Sequence, residues 1–396
     1  AFITNLDHAN SVVVTSGVAD VNQAINIQGI AGYDGSESDY DITDSAANLI
    51  SAGDHILNVT GVDVVTVNDG ATSANDGAIL AGFTADVEFD VVDNAAGLIA
   101  EMGGADVAGQ LTEANSITVD DGQGGQVVNA GDGAILAGFT ADVAFDVTDN
   151  ANAVAAEVTG SNGAGDLDEV NTLIVSGGDV DTSEAGAIQA ISGYDGSASD
   201  YEITDNAAAV IGAGPSVIEN DGVTRVEVTN DATALEGVSL NNYSANVDFD
   251  VSDTAEAIAD NSGNLGKAEE VFVVSGGDAV DVAEAQAIQG LAGYQTGASE
   301  YEIDDTAAAL ISAGDGVLAN GNINVDVTDG AVNANDGAML ASFTADIDFD
   351  VSDTAASLAA QVASGVASGY GADSLDEADS VFVESGVAVT AAQAES

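Results

Sequence analysis

Short segments in which apolar and acidic residues alternate recur along the whole chain. In residues 86–91, Val87, Phe89 and Val91 alternate with Asp or Glu, so the apolar side chains face one way and the carboxylates the other. This period of two predicts β-strands that are buried on one face and open to water on the other. About 15 such strands, roughly 22–34 residues apart, are predicted to begin near Ser11, Asp39, Val62, Asp86, Ser116, Asp142, Thr172, Asp200, Thr224, Asn246, Val271, Glu300, Ile323, Asp346 and Ser380.

An Ala-rich stretch with helical spacing follows most of these strands, as in residues 46–50. The strand ends on Asp, which is followed by Ser, Asn or Thr, and either residue can cap the free N–H groups of a helix. Gly53, Gly214 and Gly314 stand where these helices are predicted to end. The chain is therefore predicted to alternate strand and helix throughout.

Near-verbatim repeats organise these elements into larger modules. The segment 76–91 recurs at 132–147 and at 336–351, and a less similar copy ends at Val251. Such repetition predicts one continuous solenoid over residues 1–396. A Leu-led opening motif divides that solenoid into modules 6–110, 111–166, 167–264 and 265–374 and a partial module 375–396.

The repeats favour one architecture over its competitors. We expect an α/β protein, a right-handed α/β solenoid of about 15 strand–helix rungs with one parallel sheet. In a doubly wound α/β fold the strands are buried on both faces and form unbroken apolar runs, which differs from the alternation here. A β-helix is the alternative if the Ala-rich segments are turns, and a set of several separate domains is another.

The charge of the chain restricts its partners. It contains 68 Asp and Glu against 2 Lys and Arg, a formal net charge of −66, and no cysteine. Nucleic acids and anionic membranes need a cationic surface, which Arg225 and Lys267 cannot supply, and no apolar run is long enough to span a bilayer. We expect no nucleic-acid partner, no membrane insertion, and an extracellular or cell-surface location where salt and calcium screen the carboxylates.

The outward carboxylates are the candidate metal ligands. On neighbouring strands ~4.8 Å apart they form columns, and each like-charge pair costs roughly 1 kcal/mol in water. Ca²⁺, which takes about 6–8 oxygen ligands, is the cofactor that we expect, and screening by ordinary salt is the alternative. Acidic residues in Asn-Asp-Gly loops form a second set, although the same motif also favours turns. The candidate ligands are Asp86, Glu88, Asp90, Asp142, Asp146, Asp248, Asp250, Asp346, Asp348 and Asp350 on strands and Asp69, Asp76, Asp132, Asp221, Asp329 and Asp336 in loops.

Catalytic motifs are missing from the sequence. His8 and His55 lack metal-binding spacing, and there is no cysteine nucleophile, nucleophile elbow or phosphate-binding loop. Carboxylate pairs occur throughout the chain, so none of them singles out a glycosidase site. We therefore expect a protein that is not an enzyme.

Strand–Asp–Thr–Ala units at residues 253–255, 305–308 and 353–356 support one resemblance. They resemble the repeats of very large acidic secreted proteins of marine cyanobacteria and other Gram-negative bacteria, among surface-layer-like and adhesin-like polypeptides. The resemblance implies an exported surface or matrix role with calcium as a ligand.

The open ends of such a repeat array lead to a prediction about function. Residues 375–396 repeat the motif with which the sequence begins, so neither end resembles a cap, and terminal rungs expose unpaired backbone edges. We expect an extracellular structural repeat protein that assembles head-to-tail into a surface layer, filament or sheath stabilised by calcium. Its partner is another copy of itself or the adjoining repeats of a longer chain. A cell-adhesion role, as an adhesin or virion-fibre binding module, is the alternative.

Overall fold

The computed structural model describes residues 6, 9–102, 110–120, 127–138, 143–160, 167, 169–368 and 375–384. Over these residues the chain alternates strands with helices, which confirms the α/β class. The strands are Val18–Ala19 (β1), Tyr40–Asp44 (β2), Val62–Val67 (β3), Val87–Glu88 (β4), Asp90–Asp93 (β5), Ser116–Val119 (β6), Val127–Val128 (β7), Val143–Ala144 (β8), Asp146–Asp149 (β9), Thr172–Val180 (β10), Asp200–Asp205 (β11), Val223–Val228 (β12), Val247–Asp248 (β13), Val251–Asp253 (β14), Val271–Val273 (β15), Glu300–Asp305 (β16), Asn322–Val327 (β17), Ile347–Asp348 (β18), Asp350–Asp353 (β19) and Ser380–Val383 (β20).

The helices lie between these strands. They are Val21–Gln28 (α1), Ala46–Ala52 (α2), Asp54–Leu57 (α3), Ala74–Ala81 (α4), Ala95–Met102 (α5), Ala130–Ala137 (α6), Ala151–Thr159 (α7), Thr182–Gln189 (α8), Ala207–Ala213 (α9), Pro215–Ile218 (α10), Ala234–Asn241 (α11), Ala255–Asn261 (α12), Val282–Gln289 (α13), Ala307–Ala313 (α14), Asp315–Leu318 (α15), Ala334–Leu340 (α16) and Ala355–Ser368 (α17). Short 3₁₀ turns occur at Gly35–Glu37, Gln110–Glu113 and Ser262–Asn264.

The predicted strand starts agree closely with the observed ones. Each predicted start after the first lies within one residue of a strand in the structure. The first, near Ser11, is different: Val12 makes an isolated parallel bridge to Tyr33 and starts no strand of its own. The alternation of apolar and polar residues therefore predicts nearly every strand, because one face of each strand is buried and the other is exposed to solvent.

Among the described residues the strands pair in parallel in several separate sheets, so the prediction of one parallel sheet was wrong. The chain forms two compact units, Ala1–Glu202 with Asn220–Val223 (the first unit) and Ile203–Glu219 with Thr224–Ser396 (the second unit). In the first unit β1, β2, β3 and β4 are successive parallel neighbours. In the second unit β16, β17 and β18 are likewise successive parallel neighbours. The helices connect parallel strands, as parallel pairing requires.

The inward face of the strands forms the core. Val87, Phe89 and Val91 are only 6 %, 2 % and 0 % exposed, whereas Glu88 and Asp90 between them are exposed. The alternation predicted for this segment is confirmed. The carboxylates are consequently confined to the solvent side of the sheets.

Where a strand ends on Asp, its carboxylate commonly joins two successive helix N-termini. Asp353 Oδ1 accepts a hydrogen bond from Thr354 N at 2.6 Å, and its Oδ2 accepts one from Ala334 N at 3.1 Å. Thr354 precedes α17 and Ala334 begins α16, so one carboxylate binds free N–H groups of both helices. These backbone hydrogen bonds lower the pKa of Asp353. The same pair of contacts recurs at Asp93, Asp149, Asp253 and Asp305.

Glycine ends three helices as predicted, but the chain then continues differently. Gly53, Gly214 and Gly314 follow α2, α9 and α14 with φ of 64°, 73° and 66°, a conformation that favours glycine. Each is followed directly by a four-residue helix, α3, α10 or α15. The sequence analysis missed these short helices, because four residues carry no measurable apolar period.

Candidate metal centre

Two adjacent strands of the second unit bring three carboxylates together on the solvent face. Glu302 and Asp304 lie on β16 and Asp326 lies on β17, with Asp304 and Asp326 in register. One oxygen from each side chain lies within 4.8 Å of the others. We call these three residues the acidic triad. Asp348 of β18 continues the column, because it is the register partner of Asp326.

Mutual repulsion and partial desolvation disfavour the ionised state of this site. A hydrogen bond with Asp326, which two carboxyls share only when one of them keeps its proton, is the main cause that raises the pKa of Glu302. Burial, followed by the charge of Asp326, raises the pKa of Asp304. Burial, followed by the charges of Asp379 and Asp326, raises the pKa of Asp348. Each group therefore favours a proton or a cation beside it.

One oxygen of the acidic triad has no hydrogen-bond donor among the described residues. Among the described residues, Asp304 Oδ1 is buried and accepts no hydrogen bond. A buried carboxylate oxygen without a donor carries the cost of its lost hydration. A hard cation that binds oxygen can remove this cost together with the repulsion between the charges.

Another copy of this pair of strands, β12 and β13, contains an arginine at the corresponding position. The register Val226↔Val247 matches Val325↔Ile347, so Arg225 occupies the place of Asn324. Arg225 Nε donates to Asp248 Oδ2 at 2.5 Å, and its Nη1 donates to Glu227 Oε2 at 2.9 Å. Glu227 and Asp248 correspond to Asp326 and Asp348 of the acidic column.

Among the described residues, no basic side chain contacts the acidic triad in this way. The chain has two Lys and Arg residues in all. Arg225 binds Asp248 and Glu227, and Lys267 Nζ donates to Tyr243 O at 2.5 Å. Within the described residues, the two copies therefore differ in whether the protein itself neutralises the carboxylates.

The strand carboxylates predicted as ligands are distributed over several sheets, and among them Asp348 lies next to the acidic triad. Asp90 Oδ1 accepts from Ser116 Oγ at 2.6 Å, Asp250 Oδ1 accepts from Glu270 N at 3.0 Å, and Asp350 accepts from the Ser380 hydroxyl. Asp142 lies outside the described residues. The exposed members are Asp86, Glu88, Asp90, Asp346, Asp348 and Asp350, and the half-buried ones are Asp146, Asp248 and Asp250.

Three of the predicted loop ligands lie in helices. Asp76, Asp132 and Asp336 occupy the first turns of α4, α6 and α16, so the prediction that they lie in loops was wrong. The residue three positions earlier, Ser or Asn, caps each helix through its side chain, and this helix-start signal outweighed the turn signal of Asn-Asp-Gly.

The other loop carboxylates have different neighbours. Asp69 Oδ1 accepts from Ala46 N at 3.0 Å, and Asp329 Oδ1 accepts from Ala307 N at 3.2 Å. Both therefore bind the first N–H group of a helix, α2 or α14. Asp221 is exposed in a turn.

Glu302, Asp304 and Asp326 were not among the predicted ligands. The alternating pattern placed Glu302 on the outward face, but Asp304 occupies a position that is Thr43 and Thr204 in the other copies. The local signal was therefore the loss of a Thr in one repeat, which a comparison of the three copies reveals.

Comparison with known proteins does not assign the chain to a family. Neither the protein-family models nor the curated proteins yield a match to it. In the part of the chain that the structure describes, the helices are too short or too polar to cross a membrane. The argument for function consequently depends on the site itself.

Proposed function

We propose that this chain is an extracellular structural repeat protein whose acidic face binds Ca²⁺. In this proposal its strand–helix units stack as the rungs of a right-handed solenoid and assemble head-to-tail into a surface layer, filament or sheath. The observation that carries the proposal is a difference between two copies of the same pair of strands. Arg225 neutralises carboxylates in one copy, whereas in the other copy no basic side chain of the described residues contacts the acidic triad.

Calcium suits the acidic triad on chemical grounds. Its ligands are all carboxylate oxygens, which are hard donors, and the exposed position of Glu302 leaves room for water to complete a shell of about 6–8 oxygens. Mg²⁺ demands near-octahedral geometry and dehydrates reluctantly, so a site built from three carboxylates on neighbouring strands favours the larger ion. An ion present at about 100 times its Kd adds about 2.7 kcal/mol to the free energy of unfolding.

Open sheet edges support the assembly part of the proposal. The described strands pair in parallel with the next strand or the next but one in the sequence, and a stack built in this way ends in unpaired N–H and C=O groups. A second copy, or further repeats of a longer chain, satisfies these groups. A net charge of −66 opposes such contact unless cations screen it.

Thermal unfolding and native mass together test the proposal. We expect the Tm in millimolar CaCl₂ to exceed the Tm in EDTA with NaCl added to equal ionic strength, and we expect the native mass to rise with calcium. Equal melting in the two solutions would mean that simple screening suffices. A monomeric mass in both solutions at all concentrations would refute the assembly.

A further inference from the structure

One leucine-led turn occurs twice in the second unit with the same backbone contacts. In the earlier turn, residues 265–268, the fourth N–H donates to the first carbonyl oxygen at 3.1 Å, and in the later turn, residues 375–378, this distance is 3.2 Å. The N–H of the residue that follows donates to Phe249 O in one case and to Phe349 O in the other, at 2.9 Å in both. The third residue of each turn therefore occupies an equivalent place.

The charge of this third residue is reversed between the two turns. It is Lys267 in the earlier turn and Glu377 in the later one, and both side chains are exposed. Two further turns that make the same first contact have Glu113 and Glu169 at this position. Lys is thus the exception among the four copies, and its contacts show what the position faces.

The ammonium of Lys267 binds an oxygen of the main chain. Lys267 Nζ donates to Tyr243 O at 2.5 Å. The Ser244 N–H, and to a smaller extent the charge of Lys267, lower the pKa of Glu219, which accepts a hydrogen bond from that N–H. A cation is therefore bound to a carbonyl oxygen and stands near a carboxylate.

The same kinds of oxygen surround the later turn. Phe343 corresponds to Tyr243 through the register of β13 and β18. Asp315 Oδ1 accepts from Thr344 N–H at 2.7 Å, so a carboxylate is present here too. Both basic residues of the chain bind groups of the earlier copy. Among the described residues, Glu377 therefore adds a negative charge where the earlier turn has a positive one.

A cavity of about 240 Å³ lies at the later turn. Phe343, Thr344, Asp346 and Glu377 are among the residues that line it. A water molecule occupies about 30 Å³ in the liquid, so the cavity has room for an ion with several waters. Carboxylate and carbonyl oxygens are the ligands that Ca²⁺ takes in proteins.

We propose that this cavity binds Ca²⁺ through the Glu377 carboxylate and the Phe343 carbonyl oxygen, in the place that the Lys267 ammonium takes at the earlier turn. Asp346 and water complete the shell of about 6–8 oxygens. With so few protein ligands we expect a Kd of about 10⁻⁴–10⁻³ M. The site shares no residue with the acidic triad and needs no assembly, so it extends the proposed function without depending on it.

Charge exchange at Glu377 tests the site. Glu377→Lys supplies the ammonium of the earlier turn, so we expect a higher Tm in EDTA and a smaller rise in Tm when millimolar CaCl₂ is added at equal ionic strength. Asp376→Lys is the matched control, because this exposed neighbour lies outside the cavity lining and the change in net charge is the same. Equilibrium dialysis against CaCl₂ should count one bound ion fewer for Glu377→Lys than for Asp376→Lys.

Lys267 allows the reverse experiment. Lys267→Glu gives the earlier turn the carboxylate of the other copies, so calcium should raise its Tm by more than it raises that of Lys267→Gln, which removes the charge alone. Equal behaviour of Glu377→Lys and Asp376→Lys, or of Lys267→Glu and Lys267→Gln, would overturn this site. Both comparisons should give the same result when Asp326 is also changed to Asn. Failure here would therefore leave the acidic triad and the proposed function intact, and their failure would leave this site intact.

Discussion

The substitution Asp326→Asn tests whether the acidic triad destabilises the protein when no cation is bound. Asp326 has an oxygen within 4.8 Å of oxygens of Glu302 and Asp304. Two unit charges at that distance repel by about 0.9 kcal/mol in bulk water, and a Debye length of about 8 Å roughly halves this value. We therefore expect Asp326→Asn to raise the free energy of unfolding by about 1 kcal/mol at pH 7 in EDTA.

Urea denaturation followed by far-UV circular dichroism, in EDTA and in CaCl₂ at equal ionic strength, measures this effect. Because Asn removes one anionic ligand, the variant should also lose most of the stabilisation that calcium gives to the wild type. The reasoning is refuted if Asp326→Asn leaves stability in EDTA unchanged or lower, or if it retains the full calcium effect.

The equivalent residue of the other copy provides the matched control. Glu227 lies 2.9 Å from Arg225, and both side chains are more than a third exposed. Here neutralisation removes an attraction, so Glu227→Gln should lower the free energy of unfolding in EDTA, by at most about 1 kcal/mol. Opposite signs at these two positions would separate local charge effects from a general benefit of reducing the net charge.

Four further predictions concern packing, the internal cation and pH. Gly337→Ala should lower the free energy of unfolding by about 1–3 kcal/mol in urea, because its Cβ would lie 2.7 Å from Val351 Cγ2. Gly212→Ala, in α9 with no atom within 4 Å of the new Cβ, should raise it by about 0.4–1 kcal/mol. Arg225→Gln should increase the rise in Tm that calcium causes, and an unchanged rise would count against internal neutralisation. The metal-free protein should gain stability in urea as pH falls from 7 towards the ordinary carboxyl range of about 4, because the raised pKa values of Glu302, Asp304 and Asp348 mean that the folded state binds protons before the unfolded state does. Below about pH 4 this gain should reverse, since the lowered pKa of Asp353 makes its contribution disappear on protonation.

The strands of this protein, and the helices that follow a strand-end Asp, could be predicted from its sequence. A strand covered on one face must alternate apolar and polar residues, as Val87 to Val91 do, and near-verbatim repeats make the same signal recur. The strand-end Asp and the polar residue after it marked the helix starts correctly. Their physical basis is local, because a helix N-terminus needs acceptors within a few residues.

The candidate site could not be predicted as well, because it depends on register between strands. Whether Asp304 meets Asp326 is decided by how α14 and α15 return the chain to the sheet, which the alternating pattern alone does not specify. Asp69 was a plausible calcium ligand in a turn, yet it accepts a hydrogen bond from the start of α2, 23 residues earlier. Such contacts between successive repeats have no signal in the local sequence.

The most direct test of the calcium site is a crystal structure of the protein grown in CaCl₂. We expect density for one ion with at least two carboxylates of the acidic triad bound at about 2.3–2.6 Å, and water in the remaining positions. No corresponding density is expected beside Arg225. Ordered density for the three side chains with water alone between them, at millimolar calcium, would contradict the account.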